Sequence, residues 1–231
     1  MARRQSSEPF ILINFKTYLE STGKRAVELS KKMEAVARNM DVKVGVAPQF
    51  CDIQQVASQV QIPVFSQHVD PVTPGAFTGH VLAESVRAAG ASGTIINHSE
   101  RNIRLLEIAN VVERSREVGL TTVTCAGTTK LAAAVALVEP DMVAIEPPEL
   151  IGSGRAVSKE RPEIVSESVK RIRSVNPNVR ILCGAGITTG EDVYAALKLG
   201  AEGVLVASGV VKATKPEDVL MDFCKAVRKF V

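Results

Sequence analysis

The chain has little with which to hold a metal, cross a membrane or grip nucleic acid. Four cysteines, at positions 51, 125, 183 and 224, are spread through 231 residues. None stands in a CxxC pair, and their spacing fits neither a zinc site nor a disulfide framework. Cys125 and Cys183 fall inside apolar runs and read as core residues. Such cysteine usage suits a reducing, cytoplasmic compartment. Neither His68 nor His80 has partners that could complete a metal site, so no metal and no cofactor is expected. The formal charge of +3, from 28 basic and 25 acidic side chains, is too small to suggest nucleic-acid binding. No run is apolar for long enough to span a membrane. The first, FILINF (10–15), is also too short for a signal peptide. Arg3-Arg4 precedes no long apolar stretch, which argues against twin-arginine export. Residues 1–9 are polar and read as a flexible terminus. Linker-like and low-complexity segments are missing too, so residues 1–231 read as one domain.

What is present is a beat of short apolar runs. They are FILIN (10–14), VKVGVA (42–47), VFSQ (64–67), GTIIN (93–97), TTVTC (121–125), MVAI (142–145), RILCG (180–184) and GVLVA (203–207). They do not alternate cleanly with polar residues, as expected of strands buried on both faces. Between most of them lie stretches with apolar residues at three- and four-residue spacing: 23–40, 103–119, 162–175, 191–200 and 216–230. AAGASGTIIN (88–97) and LGAEGVLVA (199–207) repeat one helix-end, turn and strand pattern. Repeated βα units with parallel strands close into an eight-stranded barrel or wind into an open sheet. Even unit length, with no dinucleotide fingerprint after the first run, favours a (β/α)8 barrel.

In such a barrel the site lies where the strands end. The first run ends on Asn14 and Lys16. The fourth ends Asn97-His98-Ser99-Glu100, and the sixth ends on Glu146. Taken singly, Lys16 reads as a solvated loop charge, His98 as a core histidine and Glu146 as a loop acid. Ser99 has the chemistry to cap a following helix, with Glu100 in its first turn. Such a helix would direct backbone N–H groups at His98 and favour the neutral ring. The seventh and eighth runs end in CGAGI and VASGV, and SGVV (208–211) can form a short helix. Paired glycine-rich loops at these two strands suit a phosphate group. A lysine, a histidine, a glutamate and a phosphate cradle on one face suggest proton abstraction beside a carbonyl in a phosphorylated small molecule.

NFK (14–16), GAFTGH (75–80), NHSER (97–101), IEPPELIGSG (145–154), CGAGI (183–187) and VASGVV (206–211) together resemble the triosephosphate isomerases, in their short archaeal form. The likeness runs from the first strand to the eighth. It implies a single-domain barrel that interconverts dihydroxyacetone phosphate and glyceraldehyde 3-phosphate. Glu146 would be the base, His98 the electrophile, and Lys16 the stabiliser of negative charge, with Asn14, Ser99 and Glu100 in support. Backbone N–H groups near Ile151, Gly152, Gly186, Ala207 and Ser208 would hold the phosphate. Residues 147–154 would form a lid, with Pro147-Pro148 a stiff hinge, ELI the tip and GSG the compliant end. GAFTG resembles the loop by which each subunit reaches into its partner, with Thr78 completing the neighbour's site in a homodimer or homotetramer. The commoner forms carry Gly where Asn97 stands, Arg where Asn102 stands, and a Trp in the lid. The rival readings are another phosphate-binding sugar-phosphate isomerase or lyase, or an inactive barrel with an interaction role.

Overall fold

The computed structural model describes residues 8–231. Eight strands lie in it: β1 (Phe10–Asn14), β2 (Lys43–Ala47), β3 (Phe65–Ser66), β4 (Gly93–Ile96), β5 (Thr121–Ala126), β6 (Met142–Ile145), β7 (Arg180–Cys183) and β8 (Gly203–Val206). They hydrogen-bond in the order β2-β1-β8-β7-β6-β5-β4-β3, with every pairing parallel. A parallel bridge between Val46 and Val64 joins the two ends of that order. The sheet is therefore a closed barrel, not an open wound sheet.

The helices are α1 (Lys24–Met40), α2 (Ile53–Ala57), α3 (Ala83–Ala88), α4 (Leu105–Glu117), α5 (Thr129–Ala136), α6 (Val157–Glu160), α7 (Pro162–Val175), α8 (Gly190–Lys198), α9 (Ser208–Val211) and α10 (Pro216–Phe230). They ring the barrel, with α10 packed on both α8 and α1, and α5 on α7. The five long helical patterns in the sequence and the short α9 match helices here within a few residues. The short α2, α3 and α5 were not visible as periodic stretches. The third strand is only two residues, though the Pro63 carbonyl before it still accepts the Val46 N–H at 3.0 Å. The expected flexible terminus lies mostly outside the described residues. Within them Pro9 is buried, and the Glu8 carbonyl accepts from Arg180 Nη2 at 2.9 Å.

Alternation along each strand sorts the side chains. Ile11 and Ile13, Val204 and Val206 face the helices. Phe10, Leu12, Phe65, Val123, Leu182 and Leu205 fill the barrel. At the lower end large residues sit beside glycines. A Cβ on Gly93 would lie 2.2 Å from Phe65 Cε1, and one on Gly45 would lie 2.8 Å from Phe10 Cζ. These glycines leave room for two rings whose centroids are 6.0 Å apart. Toward the other end the same inward positions turn polar, at Asn14, Gln67, Asn97 and Glu146. A closed apolar floor thus carries a polar mouth.

Candidate active site

Lys16 leaves β1 in a left-handed conformation, φ 48°. Its N–H donates to Asn14 Oδ1 at 2.9 Å, and its carbonyl accepts from Gln67 Nε2 at 2.8 Å. Gln67 also donates to the Ala47 carbonyl at 3.0 Å, so it spans the mouth from β3 to β2 and the Lys16 loop. The Lys16 side chain is buried, and Nζ meets Glu100 Oε1 at 2.7 Å. Burial and a carboxylate partner replace the solvated loop charge that a lone lysine suggests.

His98 is buried at the end of β4. The Glu100 N–H donates to its Nδ1 at 3.2 Å. A backbone N–H can only donate, so Nδ1 offers a lone pair and Nε2 carries the proton of the neutral ring. Nε2 stands 3.7 Å from Glu146 Oε2. The donor to His98 does not come from a helix starting at Ser99. Residues 98–101 form a turn closed by the Arg101 N–H on the His98 carbonyl, at 2.7 Å. α4 begins only at Leu105, where the Arg104 N–H is held by Glu107 Oε2 at 2.8 Å. Asn97 itself is left-handed, φ 57°, and leads directly into that turn. Ser99 therefore caps nothing, and its carbonyl accepts from Asn102 Nδ2. Glu100 acts through its N–H on His98 and its carboxylate on Lys16.

Glu146 follows β6, and its N–H is held by the Ala126 carbonyl of β5 at 3.0 Å. The side chain is 5% exposed, and Oε2 has no hydrogen-bond partner among the described residues. Gly184 of the next loop makes room for it. A Cβ there would lie 2.4 Å from Glu146 Cγ and 2.7 Å from Oε1. Cys125 and Cys183 flank this carboxylate. Burial first, and the Glu146 charge second, push the Cys125 thiol well up and Cys183 up to about 12. Both are neutral walls.

Beyond these groups lies a cleft between the loops at the strand ends. Asn14, Lys16, His98 and Glu146 line one end. Ile151, Gly152, Gly186, Ala207 and Ser208 line the rest, with Gly154, Ala185, Thr188 and Gly209. The loops after β6, β7 and β8 converge because glycine lets them touch. Gly186 has φ 72°, and a Cβ on it would stand 2.0 Å from the Arg155 carbonyl. One on Gly209 would stand 2.7 Å from the Ile187 carbonyl. The first amides of α9 have no acceptor inside the helix and are free for an anion. Residues 148–150 form a single 3-10 turn, and Leu150 is buried in the core. Of ELI only Ile151 reaches the cleft, followed by Gly152 and Gly154. Ser153 Oγ staples this stretch by donating to the Leu150 carbonyl and accepting the Arg155 N–H.

Ser99 and Thr78 lie outside this cleft. Glu100 lines a second cavity on the far side of Lys16, with Thr17, Tyr18, Phe50, Gln67 and Arg101. Thr78 sits on an exposed loop beside Phe77. Sequence reasoning passed over Gln67, although it stands at a strand end, where the rule that found Glu146 points. It also passed over Thr188 and Gly209, which carry no distinguishing signal. Among the described residues no cluster of His, Cys, Asp and Glu could hold a metal ion, and no helix is long and apolar enough to cross a membrane.

Residues 9–227 match the family model described as triosephosphate isomerase. The triosephosphate isomerase of Methanosarcina barkeri is 51% identical over 219 residues, covering 95% of this chain and 99% of the relative. That of Methanobacterium bryantii is 50% identical over 95% of this chain and 97% of its own length. That of Methanocaldococcus jannaschii is 48% identical over 94% and 99%. A closed βα barrel with a buried lysine, histidine and glutamate at one end of a glycine-lined cleft agrees with these matches, and the chain belongs to the triosephosphate isomerase family.

Proposed function

We propose that this chain interconverts dihydroxyacetone phosphate and D-glyceraldehyde 3-phosphate, a step of glycolysis and gluconeogenesis, as one catalytic domain working in the cytoplasm. The observation that carries the reading is the Glu146 carboxylate. It is buried and unpartnered at Oε2, 3.7 Å from His98 Nε2, and it faces a cleft that ends in three touching loops.

Glu146 removes a proton from the carbon beside the substrate carbonyl. The C–H electron pair forms the C=C bond of an enediolate, and the carbonyl π pair moves onto oxygen. The Nε2–H of neutral His98 donates to that oxygen, and the Lys16 ammonium offsets its charge, with Asn14 holding the Lys16 loop. His98 passes its Nε2 proton to that oxygen and recovers the hydroxyl proton of the carbon that Glu146 deprotonated. The oxygen pair left there forms the new C=O, and the C=C pair takes the proton from Glu146 onto the former carbonyl carbon, so nothing is consumed. Backbone N–H groups at Gly152, Gly186, Ala207 and Ser208 hold the phosphate, whereas the expected Ile151 donor gives its N–H to the Pro148 carbonyl at 3.2 Å and only lines the cleft. A general base contributes about 10²–10⁴-fold and one oxyanion donor about 3–4 kcal/mol, so the three groups must act together.

A second copy of the chain is the proposed partner, as a homodimer or homotetramer. The cavity beyond Lys16 and Glu100 is open beside the half-buried Tyr18 and the exposed Phe50. The exposed loop 74–80 of the second copy would enter it and bring Thr78 close to Lys16. Sedimentation of the wild-type chain and of a form lacking residues 75–79 tests this. An active monomer would remove the reading.

A Schiff-base lyase is the nearest rival. The Lys16 ammonium, ion-paired at 2.7 Å, has no free lone pair to attack a carbonyl. The deciding experiment is a coupled assay with glyceraldehyde 3-phosphate, with borohydride added in parallel. Turnover without a reduced covalent adduct supports the isomerase. A trapped adduct on Lys16 supports the lyase, and no turnover at all supports an inactive barrel.

A further inference from the structure

We infer that Asn97 is a positioning residue for the proposed isomerase reaction, its side-chain amide setting the place of His98 against Glu146. The inference rests on the roles proposed for those two groups.

The β4–β5 ladder ends at the pair Ile96 and Thr124. Asn97 is the first residue past it, and His98 the second. Asn97 takes the left-handed conformation, φ 57°, that turns the chain away from the barrel. Glycine enters that region without strain, and asparagine is among the few other residues that tolerate it. The turn alone would therefore be satisfied by glycine.

Asparagine adds two buried bonds that glycine lacks. Nδ2 donates to the Cys125 carbonyl at 2.9 Å, and Oδ1 accepts the Ile103 N–H at 3.0 Å. The amide orientation is fixed, because a carbonyl only accepts and an N–H only donates. The first bond carries the β4–β5 connection one residue past the ladder. It lands on Cys125, whose neighbour Ala126 holds the Glu146 N–H. The second bond closes the loop 97–103, which holds the Glu100 N–H against His98 Nδ1. One amide thus ties the ring both to the β5 end that seats the base and to the donor that fixes its tautomer.

A purely structural role would also satisfy a buried carbonyl and a buried N–H, and losing them would lower stability. The two roles separate on the following measurements. Asn97→Gly keeps the turn and removes both bonds. Asn97→Asp keeps the bond from Ile103 and replaces the donor to Cys125 with a second acceptor. We expect kcat to fall about 10–100-fold in both, since displacement on the scale of 1 Å costs that much in an aligned site. KM and inhibition by inorganic phosphate should change less than about threefold, because the cradle lies across the barrel on the loops after β6 to β8. The His98 imidazole ¹⁵N resonances should shift in the substrate-free protein. Should Asn97→Gly fail to fold, Asn97→Asp decides on the same readouts. A kcat within twofold of wild type, or kcat and phosphate affinity falling together, overturns the inference. A wild-type chain without isomerase activity would instead overturn the proposed reaction, and the ¹⁵N shifts would still report on the tether.

Discussion

The two sides of the barrel mouth are built in opposite ways. On the side from β1 to β5, side chains hold the proposed reacting groups in place. Asn14 takes the Lys16 N–H, Gln67 takes the Lys16 and Ala47 carbonyls, and Asn97 bridges Cys125 and Ile103. On the side from β6 to β8, missing side chains do it. Gly184 clears a slot for Glu146, Gly186 lets its loop meet Arg155, and Gly209 lets its loop meet Ile187. The first side holds Lys16 and His98, which need fixed orientation, while Glu146 sits on the second in the slot that Gly184 leaves. The second offers backbone N–H groups, which reach a ligand only where no Cβ intervenes. Polar deletions should therefore damage the first side, and added methyl groups the second.

Removing the base should have the largest effect. Glu146→Gln keeps the shape of the side chain and deletes the proton acceptor, so turnover should fall by at least about 10³-fold. The fold and inhibition by inorganic phosphate should persist. Near-normal activity in the coupled assay would end the assignment of Glu146. Next is Gly186→Ala. Its φ of 72° and the 2.0 Å approach to the Arg155 carbonyl force backbone to move. Strain of this kind costs about 1–3 kcal/mol. Phosphate affinity should drop about 10- to 100-fold while Glu146 keeps its place. Unchanged phosphate inhibition would remove Gly186 from the cradle.

Gly184→Ala should act differently. The atoms it meets belong to the Glu146 side chain, which can swing aside, so stability should change little. The base would leave its position, and kcat should fall about 10- to 100-fold. Glu146→Asp shortens the base by one methylene and withdraws it from the new methyl. In the Gly184→Ala background that second change should cost far less than it does alone. Simple additivity in the double-mutant cycle would show that Gly184 does not seat the base.

The strands and the gathering of Lys16, His98 and Glu146 at the barrel mouth were legible because they rest on strong local signals. A run of β-branched residues ends abruptly on a polar one at Asn14, at Asn97 and at Glu146. The long helices were legible through their periodic apolar faces. The short α2, α3 and α5 were not, because five to eight residues hold barely two turns of pattern. At Ser99 the cap chemistry was a misleading signal, since residues 98–101 form a turn and the helix begins only at Leu105. Gly184 and Gly186 look alike in CGAGI. Only the positions of Glu146 and Arg155 in space tell the slot for a base from the approach to a ligand loop. Leu150 was read as part of the lid tip, yet the core claims it.

The smallest expected effect concerns the walls of that slot. Burial pushes Cys183 and Cys224 up to about 12, and Cys125 well above its ordinary value, whereas Cys51 is exposed. Thiolate is the reactive form, so at pH 8 iodoacetamide should leave Cys125, Cys183 and Cys224 untouched in the native protein and reach them after unfolding. The linkage has a definite sign. Above the ordinary thiol value of 9.0 the unfolded chain loses protons that the native chain keeps, so stability should decline as pH rises past about 9. Chemical denaturation between pH 8 and pH 10 measures that decline. Glu146→Gln removes the second cause of the Cys125 and Cys183 shifts but not the first, so all three thiols should stay silent in that variant too. If Cys183 became reactive while Cys224 did not, the carboxylate and not burial would be what keeps the wall neutral. The side built from glycines would then depend on the charge of its base as well as on the space left for it.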